Sequence, residues 1–233
     1  MGDGRSVVVT GGTGGLGRGV CRVLCEAGYR PVVTWVVEAE RDAAAAEFGD
    51  AVELRRTDVA RAGEMRELAG ALERDGRPAW GLLHLVGGYR DGDPLSGNDG
   101  SGLEEQVRLN LTTSAVALGA FLPGMVARGG GRAVAVSSRA AVRPFAGGGA
   151  YAASKAGVVA LVQAASEEVK HDGVTVNCVL PSVIDTPANR RAMPDADWGR
   201  WVSPEQIGQV MAFLLSDGAA AVTGAAIPVY GRA

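Results

Sequence analysis

The sequence contains little of what metal centres, thiol chemistry and secretion require. It has three cysteines and two histidines in 233 residues. The cysteines, Cys21, Cys25 and Cys178, lack the spacing of a metal site or a thiol redox motif. No secretory signal is visible, and we expect no uncharged run of about 18 residues that could span a bilayer. We therefore expect a cytoplasmic protein with no metal site and no membrane partner.

The chain also has a small net charge and few lysines. The formal net charge of −3 gives no reason to expect nucleic acid or an anionic membrane as a partner. Of the 23 basic residues, only Lys155 and Lys170 are lysine. In a chain that favours arginine, a retained lysine indicates a position where arginine cannot substitute.

The rest of the composition is that of an ordinary globular domain. Hydrophobic residues make up 47% of the chain and charged residues 21%. A length of 233 residues is ample to bury a core, and neither a linker nor a repeat is visible. We therefore expect a single domain over residues 1–233.

A glycine-rich turn follows the first apolar run. The valines at 7–9 lead into Thr-Gly-Gly-Thr-Gly-Gly-Leu-Gly at 10–17, and a helical pattern follows. Gly11 permits a tight turn, Gly15 lets backbone approach a pyrophosphate, and Gly17 lets the helix pack close to the strand. Unpaired amides at the helix N-terminus favour phosphate. The pattern indicates the start of a dinucleotide-binding βαβ unit.

Short apolar runs alternate with helical patterns along the whole chain. Besides the valines before Gly11, strands are predicted at 31–37, 51–54, 80–86, 133–136, 174–180 and 226–229. Helices are predicted at 18–27, 40–48, 61–74, 103–126, 151–169 and 204–215. This alternation implies an α/β fold with one doubly wound parallel sheet of about seven strands flanked by helices, the Rossmann fold, with ligands at the carboxyl ends of the strands.

Residues 181–203 show no regular periodicity and are the candidate loop over a substrate. The side chains that we consider as candidates to face this substrate are Tyr89, Arg143, Arg190 and Arg191.

A tyrosine and one of the two lysines stand four residues apart. Ser137 and Ser138 end the predicted fifth strand, and Tyr151 and Lys155 then lie one turn apart on one face of a predicted helix. A free tyrosine has a pKa of about 10, and a neighbouring ammonium favours the phenolate. We therefore predict a lowered pKa for Tyr151 and a general acid–base role for it.

These motifs resemble those of the short-chain dehydrogenase/reductase family in its compact single-domain form. The resemblance covers essentially the whole chain and rests on the turn at 10–17 and the Tyr-x-x-x-Lys pair at 151–155. It implies an NAD(P)-dependent oxidoreductase that transfers a hydride between nicotinamide and a small ketone or alcohol, with β-ketoacyl thioesters as one possible substrate class. The helices at 103–126 and 151–169 are apolar on more than one face. We therefore also expect a homodimer or homotetramer, as in the family.

The resemblance implies a role for each matching residue. Tyr151 is expected to be the general acid in reduction and the general base in oxidation, and Ser138 to bind the substrate oxygen. Lys155 is expected to hold the nicotinamide ribose, and Asn110 to hold a water that relays protons to Lys155. The residues expected to contact the cofactor are Gly11, Thr13, Gly15, Leu16, Gly17, Trp35, Asp58, Val59, Gly87, Tyr151, Lys155, Pro181, Val183 and Thr186.

Three segments depart from the family pattern. The family often has Asn-Asn-Ala-Gly after the fourth strand, whereas this chain has His84-Leu85-Val86-Gly87. Gly87 keeps the close backbone approach to the cofactor, but asparagine side chains that tie neighbouring strands are lost. The usual Pro-Gly is Pro181-Ser182, and the usual Asp-Gly-Gly near the end is Val229-Tyr230-Gly231. These changes bear on the substrate class more than on activity.

The end of the second strand leaves the choice between NAD and NADP open. An acidic residue there would accept the ribose hydroxyls of NAD, and an arginine there or in the glycine turn would pair with the 2′-phosphate of NADP. These places hold Trp35, Val36 and Gly14, while Glu38 and Arg41 follow a few residues on. Without a basic anchor, the sequence slightly favours NAD.

Two other functions compete with an enzyme of this kind. A non-catalytic cofactor-binding regulator would keep the fold without needing Ser138, Tyr151 and Lys155 together. A Rossmann-like methyltransferase would not need the Tyr–Lys pair. The complete set favours the oxidoreductase.

Overall fold

Seven parallel strands form the centre of the fold. The computed structural model describes residues 2–89 and 94–232, and within these ranges the strands form one sheet of order β3-β2-β1-β4-β5-β6-β7. The strands are β1 Ser6–Thr10, β2 Arg30–Trp35, β3 Glu53–Arg56, β4 Ala79–His84, β5 Gly131–Val136, β6 Val174–Pro181 and β7 Ala226–Val229. The prediction of a doubly wound parallel sheet of about seven strands is confirmed. All neighbouring strands are parallel, and the order in which they are added to the sheet reverses between β1 and β4. Such a switch point opens a crevice at the carboxyl ends of the strands.

Helices cover both faces of this sheet. They are α1 Gly15–Glu26, α2 Glu38–Phe48, α3 Ala62–Arg74, α4 Ser101–Gln106, α5 Thr113–Ala127, α6 Gly149–Val169, α7 Pro187–Ala192 and α8 Pro204–Leu215. Helices α1 and α8 enclose one hydrophobic core against the sheet, and α3, α5 and α6 enclose the other.

The two cores explain why the central strands are apolar on both sides. Every residue of β1, β5 and β6 is buried, as expected for parallel strands covered on both faces. Adjacent residues point to opposite cores: Leu82 packs under α3, α5 and α6, and Leu83 under α1 and α8. Each buried leucine of this kind contributes about 1.5–3 kcal/mol relative to exposure.

A single helical stretch runs from Ser101 to Ala127 and contains α4, a π-helical segment at Val107–Thr112, and α5. Its 27 residues have a mean hydropathy of 1.4 over the most apolar window, so by length and composition it could cross a membrane. This corrects the expectation that the chain has no such run. One face packs against the sheet through Ala117, Phe121 and Met125, and a core helix passes the same test of length and composition.

The segment after β6 is more regular than the sequence analysis predicted. It contains α7, whose first turn is capped by the Thr186 hydroxyl, which accepts a hydrogen bond from Asn189 N at 3.2 Å. Pro187 follows at the first helical position, where its missing N–H costs nothing. This Thr-Pro start was the available sequence signal, and a helix of six residues is too short to show a clear period.

Candidate active site

A cavity of about 800 Å³ opens where β4, β5 and β6 end. It collects residues that are far apart in sequence, because the carboxyl ends of parallel strands meet at one edge of the sheet. Seven of the predicted site residues line it: Leu16, Gly87, Ser138, Tyr151, Lys155, Pro181 and Val183.

The glycine turn is tight, and at Gly17 it leaves no room for a side chain. Gly11 has φ +69°, and its carbonyl accepts a hydrogen bond from Gly14 N at 3.2 Å. A Cβ on Gly17 would lie 2.3 Å from the Gly11 carbonyl oxygen, so α1 begins directly against the turn. The N-terminus of α1 therefore lies directly at the turn, an arrangement that suits the pyrophosphate of a dinucleotide because the first amides of a helix have no partner within it.

Lys155 is held at the end of β5 by backbone groups. Its Nζ donates to the Val136 carbonyl oxygen at 2.9 Å, and its own carbonyl accepts from Ser137 Oγ at 2.8 Å. The side chain is 3% exposed, and burial lowers the pKa of the ammonium to about 8. The neighbouring Ser138 Oγ accepts a hydrogen bond from Ala140 N at 3.1 Å. The Ser138 hydroxyl proton is thereby left for another acceptor.

The prediction that the pKa of Tyr151 is lowered is wrong when only groups of the protein act on it. Burial raises the pKa of Tyr151, the nearby Tyr89 adds to this effect, and a hydrogen bond with Ser138 opposes it. Lys155 Nζ lies 5.9 Å from the Tyr151 ring centroid while it donates to the backbone. Since burial also disfavours the lysine charge, the phenol form of Tyr151 is favoured.

Asn110 braces the glycines beside Lys155. The π-helical segment turns its side chain inward, where Oδ1 accepts from Gly88 N at 2.9 Å and Nδ2 donates to Gly88 O at 3.1 Å and Ser154 Oγ at 3.1 Å. Gly87 has φ +158°, and a Cβ there would lie 2.6 Å from Asn110 Oδ1 and 2.9 Å from Lys155 Nζ. These contacts show a bracing role for Asn110; the water relay stays a prediction.

Whether His84 takes the place of an asparagine that ties neighbouring strands cannot be read from the sequence, and in the structure it forms such a tie. Its Nδ1 lies 2.8 Å from Thr10 Oγ1, and its Nε2 lies 3.2 Å from Thr113 Oγ1. The Thr113 hydroxyl donates to the Leu109 carbonyl at 2.6 Å, so its oxygen accepts a hydrogen bond from the Nε2–H group of His84. The ring is therefore a neutral Nε2–H tautomer that links β1, β4 and α5. Full burial, with the Lys155 charge as a second cause, lowers the pKa of His84 to about 3.

The edge where an adenosine would lie contains one acid that the sequence analysis missed. Thr13 Oγ1 donates to Glu40 Oε2 at 3.0 Å, which fixes this carboxylate beside the glycine turn. The Arg41 guanidinium lies over the Trp35 ring, 5.2 Å from its centroid, and within 2.7 Å of Asp42. No local pattern marks Glu40, because its partner is on a different element.

Asp58 and Val59 follow β3, next to the end of β2. Asp58 Oδ1 accepts from Ala60 N at 2.9 Å, and Arg61 lies 3.4 Å from the second carboxylate oxygen. The Asp58 side chain is 42% exposed, whereas Val59 is buried in the core. Asp58 therefore keeps an accessible edge, and Val59 supports the loop from below.

The glycine turn touches the segment after β6. A Cβ on Gly15 would lie 3.2 Å from the Thr186 side chain. Thr186 caps α7, and Asn189 and Met193 of this region line the cavity. Of the predicted contacts, Gly15 and Thr186 thus lie next to each other, and Pro181 and Val183 line the cavity.

Of the side chains considered to face a substrate, two line the cavity and two do not. Tyr89 and Arg143 are in its wall. Tyr89 makes edge contacts with Tyr151, at 5.2 Å between ring centroids, and with Phe145, at 5.8 Å. Arg190 instead forms a bidentate ion pair with Asp185, at 2.5 and 2.7 Å. Arg191 is exposed outside the cavity.

Comparison with known proteins places the chain among enzymes. A sequence model of the family described as short chain dehydrogenase matches residues 5–197. The chain is 33% identical to galactitol 2-dehydrogenase from Rhizobium johnstonii, over 97% of this chain and 94% of that protein. It is 32% identical to cis-4-hydroxycyclohexanecarboxylate dehydrogenase from Sinomonas cyclohexanicum, over 97% and 95%.

A solved structure shares the architecture. A short-chain type dehydrogenase/reductase from Mycobacterium ulcerans superposes with a TM-score of 0.90 and 29% identity, over 98% of this chain and 89% of the other. The family match and this structural similarity together cover nearly the whole chain and agree with the order of its strands. The chain therefore belongs to the short-chain dehydrogenase/reductase family, and it is an oxidoreductase of that family.

Proposed function

We propose that the protein is an NAD-dependent enzyme that interconverts a ketone and a secondary alcohol, with Tyr151 as the acid–base group. The observation that carries this proposal is the meeting of Ser138, Tyr151 and Lys155 in one cavity wall, to which Leu16 of the glycine turn also belongs. A protein that only binds a dinucleotide has no need for a proton donor there.

The nicotinamide, when bound, supplies or accepts the hydride. The chain's own residues act on the substrate oxygen. Ser138 Oγ donates to this oxygen as negative charge develops on it, and Tyr151 gives it a proton in reduction or takes the proton in oxidation. The Lys155 ammonium, fixed by Val136 O, stabilises the phenolate that forms.

The charges near the end of β2 support NAD over NADP. Glu40, held by Thr13 at 3.0 Å, places a negative charge beside the glycine turn and disfavours a 2′-phosphate. The basic group close by, Arg41, is engaged with Asp42 and the Trp35 ring. The carboxylate rather than the guanidinium is therefore available to a ribose.

The helices α5 and α6 support a dimer of identical chains. Their outward positions are small and exposed in the single chain, namely Ala115, Gly119, Ala153, Ala156 and Ala160. Such faces allow close approach of a second pair of helices.

Light scattering at micromolar concentration should give a multiple of the monomer mass. Ala160→Arg should lower the measured mass, and a monomeric wild type contradicts this proposal.

We also propose a cytoplasmic location, which the three free thiols of Cys21, Cys25 and Cys178 suit. Recovery of the native protein in a membrane or extracellular fraction would contradict it.

The first experiment is to titrate the purified protein with NADH and NADPH and to follow the tryptophan fluorescence. Trp35 lies near the expected adenosine and is the candidate reporter. A panel of ketones is then screened with the cofactor that binds. Tyr151→Phe should abolish turnover and leave cofactor binding intact, whereas Tyr29→Phe, just before β2, should change neither. Retained turnover in Tyr151→Phe contradicts the assignment, and binding without turnover of any ketone or alcohol supports the non-catalytic regulator instead.

A further inference from the structure

We infer that the cavity is built for a substrate with a carboxylate, bound by Arg139 and Arg143, and that the carboxylate is separated from the reacting carbonyl by an apolar spacer. This inference rests on the proposed function and names the substrate class of the same site.

The charges of the cavity wall are of one sign. Three cationic residues line it, Lys155, Arg139 and Arg143, and no Asp or Glu does so among the residues that the structure describes. Neither arginine forms an ion pair with any carboxylate in the described ranges. Arg190, by contrast, lies near the cavity but is neutralised by Asp185. Two arginines thus belong to the cavity wall without a carboxylate partner among the residues that the structure describes.

The position of Arg139 separates it from the phosphates of a dinucleotide. It follows β5 directly after Ser138, and its guanidinium lies over the ring of Tyr230, 5.8 Å from the centroid. Tyr230 follows β7, whereas the glycine turn follows β1, and β4, β5 and β6 lie between those two strands. The arginine is therefore placed to act on the substrate and not on the pyrophosphate.

Arg143 stands with Arg139 on the same short segment. Its backbone amide donates to the Arg139 carbonyl at 2.9 Å, and its side chain is exposed at the mouth of the cavity. Guanidinium groups bind carboxylates through paired, charge-assisted hydrogen bonds. The two arginines therefore offer a carboxylate more than one such pairing.

The wall that leads outward from the reacting groups is aromatic. Tyr151, Tyr89 and Phe145 make successive edge contacts, and exposure rises to 47% at Tyr89 and 49% at Phe145. Met193 adds a flexible apolar side chain to the same cavity. A substrate carbonyl at Ser138 and Tyr151 thus has apolar side chains beside it in the same cavity as the two arginines, which fits a cyclic or aliphatic keto acid.

A matched pair of substrates tests this inference. The keto acid 4-oxocyclohexanecarboxylate and its methyl ester differ in charge but share the ring and the carbonyl. Wild-type kcat/KM should favour the acid at least tenfold. Arg139→Gln and Arg143→Gln should each lower kcat/KM for the acid by about 10- to 100-fold, as expected for a lost charge-assisted hydrogen bond, while the value for the ester changes less than about twofold.

Controls separate this effect from misfolding and from net charge. Arg66→Gln removes the same charge from an exposed position on α3 and should leave both substrates unaffected. Arg139→Lys keeps a cation and should retain part of the preference for the acid. Cofactor affinity and the melting temperature are measured for every variant and should match the wild type.

The outcomes distinguish the inference from the proposed function. Equal use of acid and ester by the wild type, or equal losses for both in the arginine variants, overturns the carboxylate site while the reaction stands. If no ketone is reduced, binding of the keto acid is measured by calorimetry and tests the carboxylate site independently of turnover. Binding that is lost in Arg139→Gln and Arg143→Gln supports the site although the reaction fails, and binding that is unchanged overturns both.

Discussion

The buried imidazole of His84 makes a specific prediction about acid stability. The ring is neutral, fully enclosed and bonded on both nitrogens to threonine hydroxyls. Its pKa is lowered from 6.5 to about 3 on folding. A depressed histidine pKa means that the unfolded chain binds the proton more tightly, so the stabilisation is complete above about pH 6.5 and is lost as the pH falls toward 3.

The magnitude follows from these two values. At pH 5 the unfolded histidine is almost fully protonated and the folded one is not, so the free energy of unfolding falls by about 1.36 kcal/mol for each of roughly 1.5 pH units, or about 2 kcal/mol. For a chain of this size, about 2 kcal/mol corresponds to a fall in melting temperature of about 4–8 °C.

The measurement is urea unfolding of the wild type and of His84→Asn between about pH 7.5 and pH 5. The carboxylates titrate in both proteins and cancel in the difference. Asparagine keeps hydrogen-bonding groups but does not titrate, so the variant should be less stable near neutrality and should lose about 2 kcal/mol less on acidification. His171→Asn, at an exposed position after α6, is the matched control and should follow the wild type. Parallel curves for wild type and His84→Asn would refute the reasoning.

Three further predictions concern catalysis and cofactor choice. Gly87→Ala should lower kcat on the order of 100-fold, because the new Cβ lies 2.9 Å from Lys155 Nζ and the backbone is at φ +158°. Gly63→Ala is the control, since it has open space around it, and it should be active. A fully active Gly87→Ala contradicts the bracing role. Ketone reduction should stay level between about pH 6 and 8 while alcohol oxidation rises with pH, since burial keeps Tyr151 in the phenol form; a rate profile of reduction that climbs with pH refutes this. Glu40→Gln should reduce the preference for NADH over NADPH by about five- to tenfold in fluorescence titrations, and an unchanged ratio removes Glu40 from cofactor selection.

The features that were predictable from the sequence are those with a local period or a fixed spacing. Alternating apolar runs and helical patterns predicted the sheet, because each element must bury a face and β1, β5 and β6 are buried on both. The Tyr151 and Lys155 spacing placed both on one helical face, and both line the cavity. The glycine turn could be predicted because its backbone requires glycine at particular positions, such as Gly17, where a side chain would collide with the Gly11 carbonyl.

The features that escaped prediction depend on partners from other elements. Glu40 matters because Thr13 holds it, and His84 because Thr10 and Thr113 enclose it. The predicted direction of the Tyr151 pKa shift was wrong because the sequence spacing of Tyr151 and Lys155 shows the neighbouring charge but not how deeply the tyrosine is buried. The π-helical segment around Asn110 also leaves no mark in the apolar pattern, since its extra residue shifts the period by less than a turn.

The contact between Gly15 and Thr186 has a consequence for how the two ligands bind. Thr186 is 3.2 Å from where a Gly15 side chain would begin, and its hydroxyl holds the first turn of α7 through Asn189. Asn189 in turn lines the cavity for the substrate. We expect a dinucleotide on the glycine turn to lie beside Thr186, and any movement of this side chain to reach the substrate wall through Asn189. Binding of the two ligands would then be coupled, and by thermodynamic reciprocity each ligand would change the affinity of the other by the same factor.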